Sequence, residues 1–321
     1  MHTIQRVFVT GGSGFVGREL LAELSRRGVA ARALARSETA RDTVSKLGAE
    51  PVRGDLDDEA ALRAGMTGCD TVVHCAAYVK DYGPLSEFEK ANVEGTRRVL
   101  GAARASGVRR FVHVGTEAVL ADGRPIVRAT EETPYPAKPL GPYAITKGAA
   151  ERLVRAASAP DFDAVVVRPR LIWGRGDTTL LPNMVEAVKK GVWRWIGGGR
   201  YLTSTCHVAN VVEGILCAAE RGAPGGVYFL TDGEPVEFRR FIGDMLRAAG
   251  VEPGEGELPR WLASAAARLT SFLPRPPISQ TALALLFHEV TVSDARARAE
   301  IGYRAKKTPE QGLAELRAER A

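Results

Sequence analysis

Tyr143 and Lys147 stand four residues apart in the run GPYAITKGAAERL, a helical pattern that begins after Pro142. Separation by i, i+4 stacks two side chains on one face of a helix. An ammonium beside a phenol favours the tyrosinate and draws the phenol pKa down from about 10 toward working pH. Such a group could move a proton to or from a carbonyl or alcohol oxygen. The spacing alone is weak, because any amphipathic helix can carry it. Thr116 adds weight: it follows the apolar run RFVHV in HVGTEAV, at the C-terminal end of an expected strand, where doubly wound sheets place their sites. Its hydroxyl could hydrogen-bond a substrate oxygen and orient Tyr143; the competing role is a threonine that caps a turn. Glu117 beside it is expected to be a solvated loop carboxylate rather than a base.

A second constellation lies at the N-terminus. Val7 to Gly17 reads VFVTGGSGFVG, an apolar strand running through Gly11-Gly12-Ser13-Gly14 into a helix that opens at Phe15-Val16-Gly17. Glycines at 11, 14 and 17 permit a tight turn, close approach of backbone to a ligand, and packing of helix on strand. The helix start offers unpaired N–H groups and a positive dipole end to a pyrophosphate. The spacing is G-x-x-G-x-x-G rather than the commoner G-x-G-x-x-G, so its weight comes from strand, turn and helix arriving in the required order. An acidic residue about 20 positions beyond the glycines would hydrogen-bond the ribose 2′-OH of NAD. This chain has Ala35-Arg36-Ser37 there. A guanidinium can clamp a 2′-phosphate that a carboxylate would repel, so Arg36 points to NADP(H), with NAD(H) the alternative if Arg36 is a surface residue.

These groups need a scaffold. Short strand-like runs at Gly28–Leu34, Thr71–Cys75, Arg110–Val114, Ala164–Val167 and Gly226–Leu230 alternate with helical patterns, the signature of parallel β-α-β units wound right-handedly. Gly28 is expected to close the first helix. The fold class is α/β, a Rossmann-type doubly wound parallel sheet with a smaller C-terminal lobe. Residues 1–169 plus 205–233 are expected to form the dinucleotide-binding domain, and 170–204 plus 234–321 the substrate-binding lobe. In that lobe Trp261, Leu262, Ala265, Leu269 and Phe272 fall near helical spacing. A lid or core helix is preferred there over a membrane-surface helix, since the segment is short and lacks a dense basic face.

Composition agrees. The 321 residues are 45% hydrophobic, ample for a core. The charge of +6 comes from Lys and Arg scattered among acids, which favours an anionic small molecule over nucleic acid. Cys69, Cys75, Cys206 and Cys217 show neither C-x-x-C spacing nor a disulfide framework, and no metal site is indicated. No apolar run approaches the roughly 20 residues of a membrane span, and the N-terminus enters a strand at once. A cytoplasmic protein is expected.

Together the motifs resemble those of an extended short-chain dehydrogenase/reductase, in family order and over essentially the whole chain: TGGSGFVG, Gly54-Asp55-Leu56, HCAA at His74 to Ala77, NVEGT at Asn92 to Thr96, Thr116, Tyr143-x-x-x-Lys147, RPRLIWG from Arg168, and ARAEIGY near the end. The resemblance implies that Asp55 hydrogen-bonds the adenine and that Ser13, Leu56, Ala76, Ala77 and Pro169 line the cofactor. Lys147 would also hold the nicotinamide ribose, and Asn92 would steady the active-site helix. Thr116 stands where the family usually has Ser. The stretches RPRLIWGRGD, LPNMVEAV and YFLTDGEPVEF look most like the 3β-hydroxysteroid dehydrogenase and 3-oxo-acid reductase group.

The expected activity is NADP(H)-dependent interconversion of a secondary alcohol and a ketone on an apolar or carboxylated small molecule, steroid-like or 3-oxoacyl. Trp173, Tyr201 and Arg170 are expected to meet the substrate, helped by Trp193, Trp195 and Trp261, with Arg170 or Arg175 able to catch a carboxylate. A nucleotide-sugar epimerase or dehydratase is the first alternative. Those relatives carry Gln-x-Arg-Asp-Phe, whose Arg clamps the diphosphate, where this chain has Tyr201 to Thr205, so Thr203 replaces that Arg. A non-catalytic NADP-binding sensor is the second, disfavoured by the presence of both Tyr143 and Lys147. A homodimer is compatible with the resemblance.

Overall fold

A computed structural model describes residues 2–80, 82–270 and 280–319; Phe272, Leu273 and the Pro-rich break at Pro274, Pro276 and Pro277 lie outside these residues. Seven strands form one sheet in the spatial order Val227–Leu230, Asp163–Pro169, Arg110–Val114, Thr71–His74, Arg6–Thr10, Ala30–Ala35, Glu50–Arg53. Every neighbouring pair is parallel. The central strands Thr71–His74 and Arg110–Val114 are buried along their whole length, as strands covered by helices on both faces must be. Side chains alternate between two cores: Val7, Val9, Val165 and Val167 on one face, Phe8, Ala164 and Val166 on the other.

The helix Phe15–Arg26 ends as the glycine pattern required. Gly28 takes φ 68°, and the amides of Gly28 and Val29 donate to the carbonyls of Ser25 and Leu24, a left-handed cap that a Cβ would strain. The edge strand Glu50–Arg53 escaped the sequence reading because EPVR is short and holds a proline, which is tolerated only at an edge.

The first strand leads outward to the second and third, and the chain then returns to the other side with Thr71–His74. This reversal opens a crevice between Gly11 and the Cys75–Ala77 turn, at the C-terminal strand ends.

A second, four-stranded sheet pairs Val236–Glu237, Leu202–Thr203, Val290–Val292 and Ile126–Ala129, so one of its strands comes from within the first 169 residues. Beneath the late segments, Trp173, Trp195, Tyr201, Phe238, Phe241, Met245 and Leu313 form a separate core. Ala297, Ile301 and Tyr303 return to pack on the large sheet. The helix Arg260–Leu269 buries Ala263 and Ala267, leaving Trp261 70% and Leu269 73% exposed. Its large side chains therefore do not pack as a core helix would. Among the described residues no helix is long and apolar enough to cross a membrane.

Candidate functional site

One cleft of about 1240 Å³ follows the C-terminal strand ends and is lined by Gly11, Ser13, Gly14, Phe15, Val16 and Gly17, then by Arg36, Asp55, Leu56, Ala76 and Ala77, then by Thr116, Tyr143, Pro169 and Arg170. Its far arm runs between the helices Leu180–Lys189 and Gln280–Leu286. The glycine turn is packed too closely on its own backbone to admit side chains. A Cβ on Gly11 would sit 2.7 Å from the Ala76 amide, and one on Gly17 2.1 Å from the Gly11 carbonyl oxygen. The first-turn amides of Phe15–Arg26 have no side-chain cap and no acidic neighbour in that turn, so their donors and the positive helix end face the cleft unopposed. These residues fit a dinucleotide diphosphate. Arg36, 80% exposed along its side chain, lies 3.4 Å from the Asp55 carboxylate.

The helix Gly141–Ala156 starts with proline in its first turn, where a missing N–H costs nothing. Tyr143 lines the cleft. Lys147, one turn on, is 2% exposed and lies behind the lining, its Nζ donating to the Val114 carbonyl at 2.8 Å and to His113 Nε2 at 3.3 Å. Burial lowers the Lys147 pKa to about 8 against the opposing pull of Glu151 and Cys75. Burial first, and Lys147 second, push His74 down to about 3 and hold His113 well below its ordinary range, both rings neutral. The helix is clamped twice more. Arg168 grips Glu151 with a two-pronged fork at 2.9 and 2.5 Å, both residues fully buried, while the Tyr135 hydroxyl donates to Glu151 Oε1 at 2.5 Å. Asn92 Nδ2 donates to Thr146 Oγ1 at 3.2 Å, and its Oδ1 accepts the Tyr78 amide at 2.7 Å.

Thr116 faces the cleft and caps a turn at once. Its Oγ1 accepts the Ala118 amide at 3.2 Å as a short-helix cap. Its proton goes to Glu117 Oε2 at 2.9 Å. Glu117 is not the solvated loop carboxylate expected: it is 3% exposed and paired with Arg170 Nη1 at 2.9 Å.

Several expected contacts fall elsewhere. Asn92 is a buried tether to the helix Gly141–Ala156 and does not line the cleft as a cofactor contact would. Trp173 is fully buried in the second core, edge-on to His207 and Phe241, its Nε1 donating to Asp232 at 2.7 Å. Tyr201 stacks on Phe238 and donates its hydroxyl to the Leu286 carbonyl, behind the apolar wall of the cleft. Arg175 points away, toward Glu319. Trp195 is buried; Trp193 does line the cleft. The wall itself, Leu180, Met184, Ala187, Leu285, Leu286 and Phe287, was not singled out, because its apolar spacing is that of any helix on a core.

The model of the family described as "NAD dependent epimerase/dehydratase family" matches residues 7–230. The chain is 50% identical over 319 residues to a 4-hydroxy-2-methyl-3-oxo-4-farnesyl-3,4-dihydroquinoline-1-oxide ketoreductase of Stigmatella aurantiaca, covering 97% of this chain and 96% of that one. It is 34% identical to a decarboxylating sterol-4-alpha-carboxylate 3-dehydrogenase of Dictyostelium discoideum, covering 98% and 100%. A solved short-chain dehydrogenase/reductase superfamily protein from Agrobacterium tumefaciens with bound NAD superposes with TM-score 0.74 at 25% identity, covering 98% and 97%.

Proposed function

This chain belongs to the NAD dependent epimerase/dehydratase family, and within it we propose an NADP(H)-dependent oxidoreductase that interconverts a secondary alcohol and a ketone on an apolar substrate. The observation that carries this reading is the meeting of Thr116 and Tyr143 with an apolar arm, walled by Leu180, Met184, Trp193, Leu286 and Phe287, in one continuous cleft. The names of the relatives, a ketoreductase for a farnesylated ring and a sterol dehydrogenase, support an apolar ketone.

Bound nicotinamide supplies or accepts the hydride. Tyr143 gives its phenolic proton to the carbonyl oxygen in reduction and takes it back in oxidation. Lys147 sets the charge behind that phenol from its seat on Val114 and His113. Thr116, its own proton held by Glu117, offers a lone pair that keeps the reacting hydroxyl in place. The glycine turn and the helix start at Phe15 would hold the diphosphate, with Asp55, Leu56, Ala76, Ala77 and Pro169 around the rest of the dinucleotide. Arg36 can turn from Asp55 to a 2′-phosphate, which favours NADP(H) over NAD(H). The dinucleotide is assigned to residues 1–169 plus 205–233 and the substrate to 170–204 plus 234–321, apart from the strand Ile126–Ala129 and the returning segment 295–303. Against a nucleotide sugar, Thr203 stands where those relatives carry the diphosphate-clamping Arg, and the cation beside it, Arg170, is already paired with Glu117.

NADPH oxidation measured against steroid ketones, long-chain 3-oxo esters and UDP-glucose tests the reading. Turnover is expected with the apolar ketones, and turnover with UDP-glucose only would reverse it. Tyr143→Phe should cut turnover by roughly 10²–10⁴-fold with cofactor affinity little changed; near-normal turnover would remove Tyr143 from its role.

A further inference from the structure

Arg170 and Glu117 sit at the junction between the reacting groups and the apolar arm. Both line the cleft, yet their side chains are 3% and 4% exposed. The carboxylate is shared between the Thr116 hydroxyl and Arg170 Nη1, at 2.9 Å each. Arg170 Nη2 donates to Thr203 Oγ1 at 3.2 Å and to the Leu285 carbonyl at 2.6 Å, on the wall helix. Only Nε lacks a partner among the described residues, so no pair of guanidinium nitrogens is left wholly free for a two-pronged fork. Among the described residues the other cations lining the cleft are Arg36, held near Asp55, and the exposed Lys80, which rests over the Tyr78 ring.

We infer that Glu117 is a specificity-determining residue: by neutralising Arg170 it reserves the substrate arm for uncharged ketones and excludes those bearing a carboxylate beside the carbonyl. The inference rests on the apolar-ketone reading above and names its substrate class more narrowly. A carboxylate entering beside the pair meets Glu117 as closely as Arg170, so repulsion cancels most of the attraction. It also surrenders its hydration in a buried setting. An uncharged ketone loses far less. Arg170 is thus a strut between Glu117 and the wall helix, not the carboxylate clamp that its type and position suggested.

Titration calorimetry on the enzyme saturated with NADP⁺, which prevents reduction, compares methyl 3-oxotetradecanoate with freshly hydrolysed 3-oxotetradecanoate. The wild type should bind the ester at least about tenfold more tightly. Glu117→Gln releases the guanidinium charge and should raise the acid-to-ester affinity ratio by at least about tenfold. Adding Arg170→Met should abolish the gain. Acid binding as tight as ester in the wild type overturns the inference and leaves the ketone reading standing. So does a Glu117→Gln protein that binds NADP⁺ normally and gains nothing. If that variant fails to fold, the wild-type comparison still decides. Binding of neither probe overturns the ketone reading itself, and the role of Glu117 with it.

Discussion

Replacing Lys147 by methionine should make the protein insensitive to one pH-dependent strain while removing its activity. Lys147 is 2% exposed and its folded pKa lies near 8 against 10.5 for the free side chain. The unfolded chain therefore binds more protons between these values, so stability rises with pH across that window. The cost of burying the ammonium is absent above about 10.5, and as pH falls through 8 it grows toward its full size. A gap of 2.5 pKa units at about 1.36 kcal/mol each is worth roughly 3 kcal/mol. Between about pH 7 and about pH 10 the change is about 2.5 kcal/mol, because titration is incomplete at both ends. The variant lacks this slope. Its losses at the Val114 carbonyl and at His113 do not depend on pH over that range and cancel in the comparison. Urea unfolding of both proteins at the two pH values, followed by tryptophan fluorescence, measures the double difference. The wild type should gain about 2.5 kcal/mol relative to Lys147→Met on moving to the higher pH. Parallel shifts, within about 0.5 kcal/mol, would show that Lys147 is not held at the depressed pKa its burial implies.

Arg36→Ala should weaken NADPH binding by about 1.5–3 kcal/mol and leave NADH nearly unchanged, since a charged hydrogen bond to the 2′-phosphate is lost; equal losses for both cofactors would place Arg36 outside 2′-recognition. Glu151→Gln leaves the buried Arg168 without its counter-charge and should cost about 3–5 kcal/mol in urea unfolding, whereas a change under about 1 kcal/mol would mean the fork does not anchor the active-site helix. Acid should destabilise the fold before the carboxylates titrate. His74 has its pKa lowered from 6.5 to about 3, so its contribution is complete above 6.5 and is lost, at up to about 1.4 kcal/mol per pH unit, as pH falls toward 3. Calorimetric melting at about pH 7.5 and about pH 5 checks this, and an unchanged melting temperature would contradict it.

How much of this was legible in the residues follows from the range of the forces involved. The glycine turn, the alternating strands and the Tyr143–Lys147 pair are local. Each is set within about a dozen residues by backbone freedom, side-chain period or helical spacing, and so can be read along the chain. Right-handed parallel winding followed from the β-α-β alternation, whereas the order of the seven strands came only from the packed structure. Trp173 and Tyr201 went astray because a large aromatic side chain has the same sequence signature in a core as in a substrate wall. Nothing local distinguishes Trp173, which is buried in the second core, from Trp193, which lines the cleft.

The sequence by itself determined the α/β architecture, the nucleotide cradle and which residues could carry a proton. Only the tertiary structure decided what those residues face. Glu117 and Arg170 are 53 positions apart, and Leu285 lies 115 beyond Arg170. Their meeting turned a presumed surface acid and a presumed anion clamp into one neutral, buried pair beside Thr116. A charge is defined by its neighbours and its water. Pairing across such distances in the chain is settled by how sheets and helices pack, not by the identity of either residue.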